Sequence, residues 1–597
     1  MATYEKHQLI TRRDLMKSGA SAVALGAAVV TPASDSSTSA VRWDYEADVV
    51  VIGSGATGLP ASIVAREAGA SVILVEAESH IGGHAIVSGG TIPLGGGTSA
   101  QRKYGITDSA DLLFHDLTDW SVVEPNGFPD FRYNDREIVR AFADHAAPIF
   151  EWLVAHGVHF IDVAPGVFDG VSSGNSAPRS MYAAGMNWPV PQTGKPLESQ
   201  FQALTATGAG LIRPLQAAAE RAGVRFLLEH RMTGIFRERP NAGQVLGIAV
   251  DNRSRQLNIR ARKAVIIGTG GSTGNVNFRR MFDPRLTEEY CGLAGMPWSD
   301  QDASGELAAM AIGASLWGLY NQTGEFGSVL SKPGFIGSQY NYMPKIMQMV
   351  TWMPGSEVFA KARATGLRVG DWQDLILVNM LGERFYDETQ PAFSANNYAS
   401  ITPYVQGSYR NAENVKYKPS NFINAALAGI GDGHNGGGPI WAIFDADAVA
   451  REGWDLSPPN VDREAGLFFS ANSLSDLADA IKMQYQRIRM PPAKLVDTVR
   501  RYNSFVDSGV DTDFGQSNPR HKIAKAPFYA AWATPAVHDT RAGLRINAHC
   551  QVIDMNGGVI PGLYGGGESA GGFSQHGLAR AVCQGYIAGR HAIARVA

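Results

Sequence analysis

The chain has 597 residues, enough for more than one hydrophobic core. Its 52 Lys and Arg face 56 Asp and Glu, a formal charge of −4, which argues against a basic nucleic-acid surface. The three cysteines, Cys291, Cys550 and Cys583, show neither C-x-x-C nor zinc spacing, so no metal and no disulfide framework are expected, and buried thiols are the simple reading.

The first forty residues read as an address. Arg12-Arg13 precedes a small apolar run from Gly19 to Val30, too short to span a bilayer, and Thr31-Pro32-Ala33 offers small residues for cleavage. The paired arginines before a weakly hydrophobic segment resemble a bacterial twin-arginine signal. That resemblance implies export of a folded protein to the periplasm. A disordered basic tail is the alternative, and the chain would then stay cytoplasmic. No transmembrane segment is expected. Residues 34–41 form a Ser/Thr-rich linker, and the fold is expected to start near Trp43.

From Ala47 to Glu76 the sequence predicts a strand (Asp48–Ile52), a glycine turn, a helix to about Ala68 and a strand (Val72–Val75) ending on an acid. The turn is Gly53, Gly55, Ala56, Thr57 and Gly58. Gly53 permits the tight turn, Gly55 admits a pyrophosphate to the backbone, and Gly58 lets helix and strand pack closely. The helix N-terminus offers unpaired N–H groups and partial positive charge to phosphates. Glu76, followed by Ala77, is placed to accept hydrogen bonds from an adenosine ribose. A dinucleotide site is therefore expected.

The next run, Ile81-Gly82-Gly83-His84-Ala85-Ile86-Val87-Ser88-Gly89-Gly90, has glycines that let backbone lie along an extended cofactor. The order G-x-G-x-x-G, acid, GG, SGG resembles the flavoproteins of the fumarate reductase and 3-ketosteroid dehydrogenase superfamily. Ser88-Gly89-Gly90-Thr91-Ile92-Pro93 looks more like the ketosteroid branch. The resemblance implies an α/β fold: a Rossmann-like FAD-binding domain (GR2 type) with an inserted α+β capping domain. It also implies FAD as cofactor.

Helices are expected at Glu137–Gly157 and Thr207–Ala222, with a Gly/Ser/Pro/Asn-rich loop region to Gln200 between them. Short strands follow at Arg225–Leu228, Met232–Arg237, Val245–Asp251 and Leu257–Ala261. Lys263–Ile267 is a buried strand running into Gly268, Thr269, Gly270 and Gly271, which resembles the second FAD contact of the superfamily. Met232 falls where relatives contact the adenine through the backbone. A helix is expected from Ser304 to Ala314; Ser304 stands where relatives carry an acid, so no cofactor contact is assigned to it.

Residues 42–320 and 536–597 are expected to build the FAD-binding domain, and 321–535 the cap. The cap opens with Tyr340, Tyr342, Met343, Met347, Met349, Trp352 and Met353, either a soft apolar substrate wall or plain core. Leu377–Phe385 resembles a G-x-R-F hairpin. A strand ending at Asp445 and helices at Leu474–Arg487 and Pro492–Asp507 follow. Val552–Ile560 reads as a hairpin about Asn556-Gly557. Gly565-Gly566-Gly567-Glu568 resembles the third FAD motif, with Glu568 on the ribityl chain. The last helix, from Gly577, Leu578 and Ala579 to Ala594, should point its N-terminus at the flavin N1 and C2 carbonyl.

The superfamily's chemistry carries over less well. Fumarate reductases anchor a dicarboxylate with His and Arg; here Asp539 stands for a His, Gly572 for an Arg, and Thr389-Gln390-Pro391-Ala392 holds no proton-donating Arg. The ketosteroid branch's tyrosines are missing near Ala392 and in Gly571–Gln575. His576, Asp539, Arg541 and Arg580 remain as the catalytic candidates, a His–Asp pair removing a proton while flavin N5 exchanges a hydride with the neighbouring carbon. His576 capping the helix, and Arg580 supporting the fold, are the bland alternatives. His84 lies where some relatives attach FAD covalently. The expectation is desaturation or reduction of a C–C bond beside a carbonyl, on a small neutral or apolar substrate. Alcohol or amine oxidation, and a flavin-containing lyase, hydratase or isomerase, are the rivals. A quinone, a cytochrome or oxygen would serve as electron partner.

Overall fold

The computed structural model describes residues 41–86, 88–119, 134–166, 176–186, 201–279, 281–282, 292–293, 299–317, 322–324, 335–338, 364, 366–385, 387–389, 439–458, 460–483, 486, 488–533, 536–573, 575 and 577–594; at 186, 201–206, 292–293, 322–324 and 536–539 it describes backbone alone. The leader, the Met/aromatic stretch 340–353, Ala392, Cys291 and His576 lie outside the described residues.

Strand β1 (Tyr45–Ile52) is buried along Val49–Ile52, an unbroken apolar run suited to the middle of a sheet covered on both faces. Helix α1 (Gly58–Glu67) and strand β2 (Val72–Val75) complete the first crossover unit, and β1 and β2 pair in parallel, Val50 opposite Ile73. The short helix α2 (Gly83–Ile86) leads to β3 (Thr91–Pro93). Two further helices, α3 (Ala110–Asp116) and α4 (Arg136–Ala155), pack on each other, α4 capped by Asp135, whose carboxylate accepts from Glu137 N and Ile138 N. Strand β4 (Ser180–Tyr182) pairs antiparallel with β3, Tyr182 opposite Thr91.

After α5 (Ala209–Ala222) come β5 (Arg225–Leu227), β6 (Arg231–Arg239), β7 (Ala242–Asp251) and β8 (Gln256–Ile267). The sequence reading broke β8 in two, at Leu257–Ala261 and Lys263–Ile267. The structure makes it one strand of 12 residues, in which Gln256–Arg260 pair with β7 and Ile259–Ile267 pair with β1. The interrupting polar residues Arg260, Arg262 and Lys263 face outward, and the arginines pair with Glu46 and Asp48 at the sheet surface.

Helix α6 (Ser304–Met310) stops short of the expected Ala314, because Gly313 turns the backbone left-handed at φ +97°. A second sheet then forms from β9 (Ile376–Val378), β10 (Trp441–Asp445), β11 (Phe468–Ala471) and β12 (Phe528–Trp532), in the order β9-β10-β12-β11, all antiparallel. One face buries Leu377, Ala442, Phe444 and Phe468; the other buries Trp441, Ile443 and Trp532 against Leu495, Val499 and Tyr502 of helix α7 (Pro492–Ser508). The helix expected at Leu474–Arg487 ends at Ala480. Ile481 leaves it in extended conformation and inserts, 1% exposed, into that second cluster.

Strand β13 (Ala536–Thr540) returns the chain, and β14 (Gln551–Ile553) and β15 (Val559–Gly565) form the expected hairpin. β15 pairs in parallel with β8, giving the first sheet the order β14-β15-β8-β1-β2-β5, with β6 and β7 folded back along β8. The last helix, α8 (Leu578–Ala594), lies on α1. A Cβ on Gly585 would stand 2.1 Å from Thr57 O, and one on Gly589 2.5 Å from Ala61 O, so this spacing brings the two helix backbones together. Cys550 and Cys583 are buried free thiols, as composition suggested; burial raises both, Cys550 to about 12, so neither is a thiolate nucleophile.

Candidate active site

The carboxyl ends of β1, β2 and β8 open into one cavity of about 430 Å³. Strand ends in an open parallel sheet leave backbone groups and helix N-termini facing outward, which is where such folds bind ligands. Gly53, Gly55, Ala56 and Thr57 from the first turn line it, with Glu76, Ala77, Gly83, His84, Ser88 and Gly89. Met232, Thr269 and Gly270 come from the middle of the chain. Glu568, Gly577, Leu578 and Arg580 come from its end.

Six residues of the expected cofactor set sit just behind that lining. Gly58 is a packing residue: a Cβ there would lie 1.8 Å from Gly53 O. Gly82, Gly90 and Gly271 back onto Ile86, Thr207 and Thr540. Gly567 donates its N–H to Gln584 Oε1 at 2.7 Å, and Ala579 is fully buried in α8.

The acid after β2 is held from three sides. Glu76 Oε2 accepts from Ser54 N at 2.9 Å and from Ser54 Oγ at 2.7 Å, and Oε1 accepts from Glu78 N at 3.0 Å. Ser54 Oγ also accepts from Gly82 N at 3.0 Å, so one hydroxyl ties the first turn to both following segments. Burial raises the Glu76 carboxyl. Glu568 accepts from Thr540 N at 3.0 Å, and its other oxygen lies 3.4 Å from His84 Nδ1. Both helices that begin at the cavity, α1 and α8, lack acidic residues in their first turn, and no side chain caps α1. Neither N-terminal dipole is therefore offset by an acid of its own first turn.

Arg580 donates to two backbone carbonyls, Phe573 O and, at 2.8 Å, Thr540 O. It thereby ties the segment before His576 to the strand that carries Asp539. Arg541 is buried and stands off the cavity wall; Asp539 is described in backbone only, within β13. Of the two catalytic candidates whose side chains are described, Arg541 and Arg580, Arg580 lines the cavity.

Sequence reasoning missed several wall residues. Ser54 lies inside the glycine turn, and its hydroxyl beside a following acid was a readable signal. Tyr182 and Gln575 carry no local signal: Tyr182 arrives by pairing with Thr91, and Gln575 by donating to Pro93 O at 3.1 Å. At the Met232 end, Arg231 is clamped by Asp300 and Asp302, its contact to Asp302 Oδ2 at 2.9 Å, and all three reach the wall. Behind the wall, Glu306 is fully buried and finds no hydrogen-bond partner from another described residue. Burial first, then Asp302 and Glu568, raises its carboxyl well above the usual range.

A family model described as "FAD binding domain" matches residues 48–581. The chain belongs to the FAD binding domain family. Among its relatives are a fumarate reductase (cytochrome) of Shewanella frigidimarina, 28% identical over 525 residues, covering 88% of this chain and 72% of that one. A 3-oxosteroid 1-dehydrogenase of Mycobacterium tuberculosis is 26% identical over 597 residues, covering 88% and 92%. Among solved structures, an open flavocytochrome c3 fumarate reductase matches with a TM-score of 0.54 at 21% identity, over 92% of this chain and 79% of that one. A 3-ketosteroid Δ1-dehydrogenase from Sterolibacterium denitrificans matches with a TM-score of 0.54 at 19% identity, over 92% and 99%. The superfamily expected from the glycine motifs is the one found, and the chain is an FAD-dependent oxidoreductase.

The cavity suits that cofactor. The uncapped N-terminus of α1 matches a pyrophosphate, and that of α8, with no acid in its first turn, an electron-rich flavin edge. The Thr269 hydroxyl is buried without a hydrogen-bond partner among the described residues, and Thr269 and Gly270 line the cavity.

Proposed function

We propose that this oxidoreductase introduces or removes a C–C double bond beside a carbonyl in a neutral, largely apolar substrate. Relatives are named for fumarate, urocanate, acrylate and a 3-oxosteroid, each with an unsaturated or saturable bond next to a carbonyl or carboxylate. One observation carries the choice among them. Both arginines on the cavity wall are engaged, Arg580 by two backbone carbonyls and Arg231 by two aspartates, and His84 is engaged by Glu568. Among the described residues the wall therefore offers no unengaged arginine to a dicarboxylate, which needs paired cations to offset its desolvation.

Bound FAD supplies the hydride acceptor or donor at N5. In this reading the residues around Gly53–Gly58, Glu76, Ser88–Gly90, Met232, Thr269–Gly271 and Glu568 would hold it, and the N-terminal dipole of α8 would favour the negative charge it gains on reduction. His576, oriented by Asp539, moves the substrate proton. Arg580 fixes the relative position of the segments carrying that pair, and Arg541 supports β13 from within. Residues 321–535 cap the site. The leader at residues 1–41 directs export, and a separate quinone, cytochrome or oxygen carries electrons away. No helix among the described residues is long and apolar enough to cross a membrane.

An anaerobic screen tests this directly. Cyclic ketones and enones should change the flavin absorbance near about 450 nm within one turnover, and fumarate should not. Turnover of fumarate with no response to neutral ketones would overturn the substrate assignment. Product formation with the flavin oxidised throughout and no acceptor present would overturn the redox role.

A further inference from the structure

A second cavity, of about 690 Å³, shares no lining residue with the first. Helix α8 reaches both: Leu578 lines the first and Arg590 and His591 the second. The second cavity gathers Arg136, Arg140 and His145 from α4, His549 from the turn before β14, and Arg590 and His591 from α8. Against these stand the carboxylates of Glu137 and Asp144.

The cations are not equivalent. Arg140 is taken up by Asp111, at 2.9 Å, and by Asp144. Arg136 lies over the Phe114 ring, 4.9 Å from its centre, and Arg590 over Tyr586 at 5.8 Å. Neither has a carboxylate within ion-pair distance among the described residues. A guanidinium resting on a ring face keeps its in-plane N–H groups for a planar acceptor. His549 and His591 stack with centres 4.4 Å apart and planes 13° from parallel. The Tyr564 hydroxyl, 3.0 Å from His591 Nδ1, fixes that ring. In His145, Nδ1 donates to Ala141 O at 2.8 Å, which leaves Nε2 for another partner.

We propose that this cavity is a binding site for a small oxyanion, a phosphate or carboxylate group, held between Arg136 and Arg590 and bordered by His549 and His591. The simple alternative is that Arg590 and His591 merely offset the partial negative charge at the end of α8. That alternative needs no ligand and accounts for neither Arg136 nor the stacked imidazoles on a separate turn.

The test uses the full-length, flavin-loaded protein. Inorganic phosphate and acetate are each titrated calorimetrically at constant ionic strength, with chloride as control. Saturable one-to-one binding is expected. Stronger phosphate binding would assign a phosphate site, and stronger acetate binding a carboxylate site. Arg590→Gln and Arg136→Gln should each weaken binding about tenfold, the scale of one charge-assisted hydrogen bond, with the flavin spectrum unchanged. Hydrogen exchange on the unaltered protein locates the site even if a variant fails to fold. Ligand-dependent protection at 136–145, 547–550 and 587–594 is expected. No saturable heat above chloride, unchanged affinity in both variants, or protection confined to 53–58 and 577–581 would each overturn the proposal. A failed substrate screen with intact oxyanion binding would leave this site standing and sink only the substrate reading.

Discussion

The first sheet ends in glycines at an open cavity, whereas the second, β9-β10-β12-β11, is covered on both faces by apolar side chains. In the first, the strand ends Ile52 and Ile267 run into Gly53 and Gly268, and polar groups such as Glu76 and Ser54 are spent on holding loops around a void. In the second, Trp441 lies opposite Trp532, their rings 6.1 Å apart, and the strands carry bulk. Each region also buries an arginine between two carboxylates: Arg179 with Asp108 and Asp116, Arg384 with Glu388 and Asp511. The ion triads are alike in design, while the surrounding surfaces differ, one built for a ligand and the other for packing.

The sharpest way to break the comparison is Arg384→Met. It strands Glu388 and Asp511 in a dry interior, and a loss of about 3–5 kcal/mol is expected from chemical denaturation. Far-UV circular dichroism against denaturant checks it, and wild-type stability would mean that those carboxylates take up protons cheaply. Next comes Gly58→Ala. Its methyl meets Gly53 O at 1.8 Å, so α1 must move off β1 at a cost of about 1–3 kcal/mol. The purified variant should carry less FAD per chain by absorbance, while the second sheet's tryptophan fluorescence is kept.

The buried acids set a smaller, pH-dependent difference. The raised carboxyl of Glu306 favours the folded state at low pH; this advantage fades as pH rises above about 4.5, the unfolded value, toward the raised folded value. Glu306→Gln lacks this slope, so its melting temperature relative to wild type should climb as pH rises above about 4.5. Parallel curves for the two proteins would show the carboxyl to be solvated. Smallest of all, Arg231→Gln removes a half-exposed clamp with Asp300 and Asp302. FAD release, followed by fluorescence after dilution, should quicken by less than about fivefold, and high salt should have the same effect on wild type.

Those same two regions differ in how plainly the sequence announced them. β1, α1 and β2 were legible because each residue there obeys one local rule: an apolar run, a glycine turn, an acid at a strand end. The hairpin about Asn556-Gly557 and the final helix were legible for the same reason. β8 was misread because outward arginines interrupt its apolar pattern, and their partners Glu46 and Asp48 lie more than two hundred residues away. The helix after Ser473 was overextended because Ile481 leaves it for a tertiary contact that helical periodicity cannot register. Within the site, motif glycines could be placed, but Tyr182 and Gln575 could not, since their positions depend on pairings with Thr91 and Pro93.

The pairing of β15 with β8, and of α8 with α1, has a consequence for biosynthesis. Until residues 559–594 leave the ribosome, one flank of β8 and the Thr57–Ala61 groove stay bare. A nascent chain that has made every earlier element still presents an open hydrogen-bonding edge to its neighbours. Completion of the nucleotide fold thereby waits for residues 559–594, and truncation before β15 yields an aggregation-prone fragment instead of a slightly shortened enzyme.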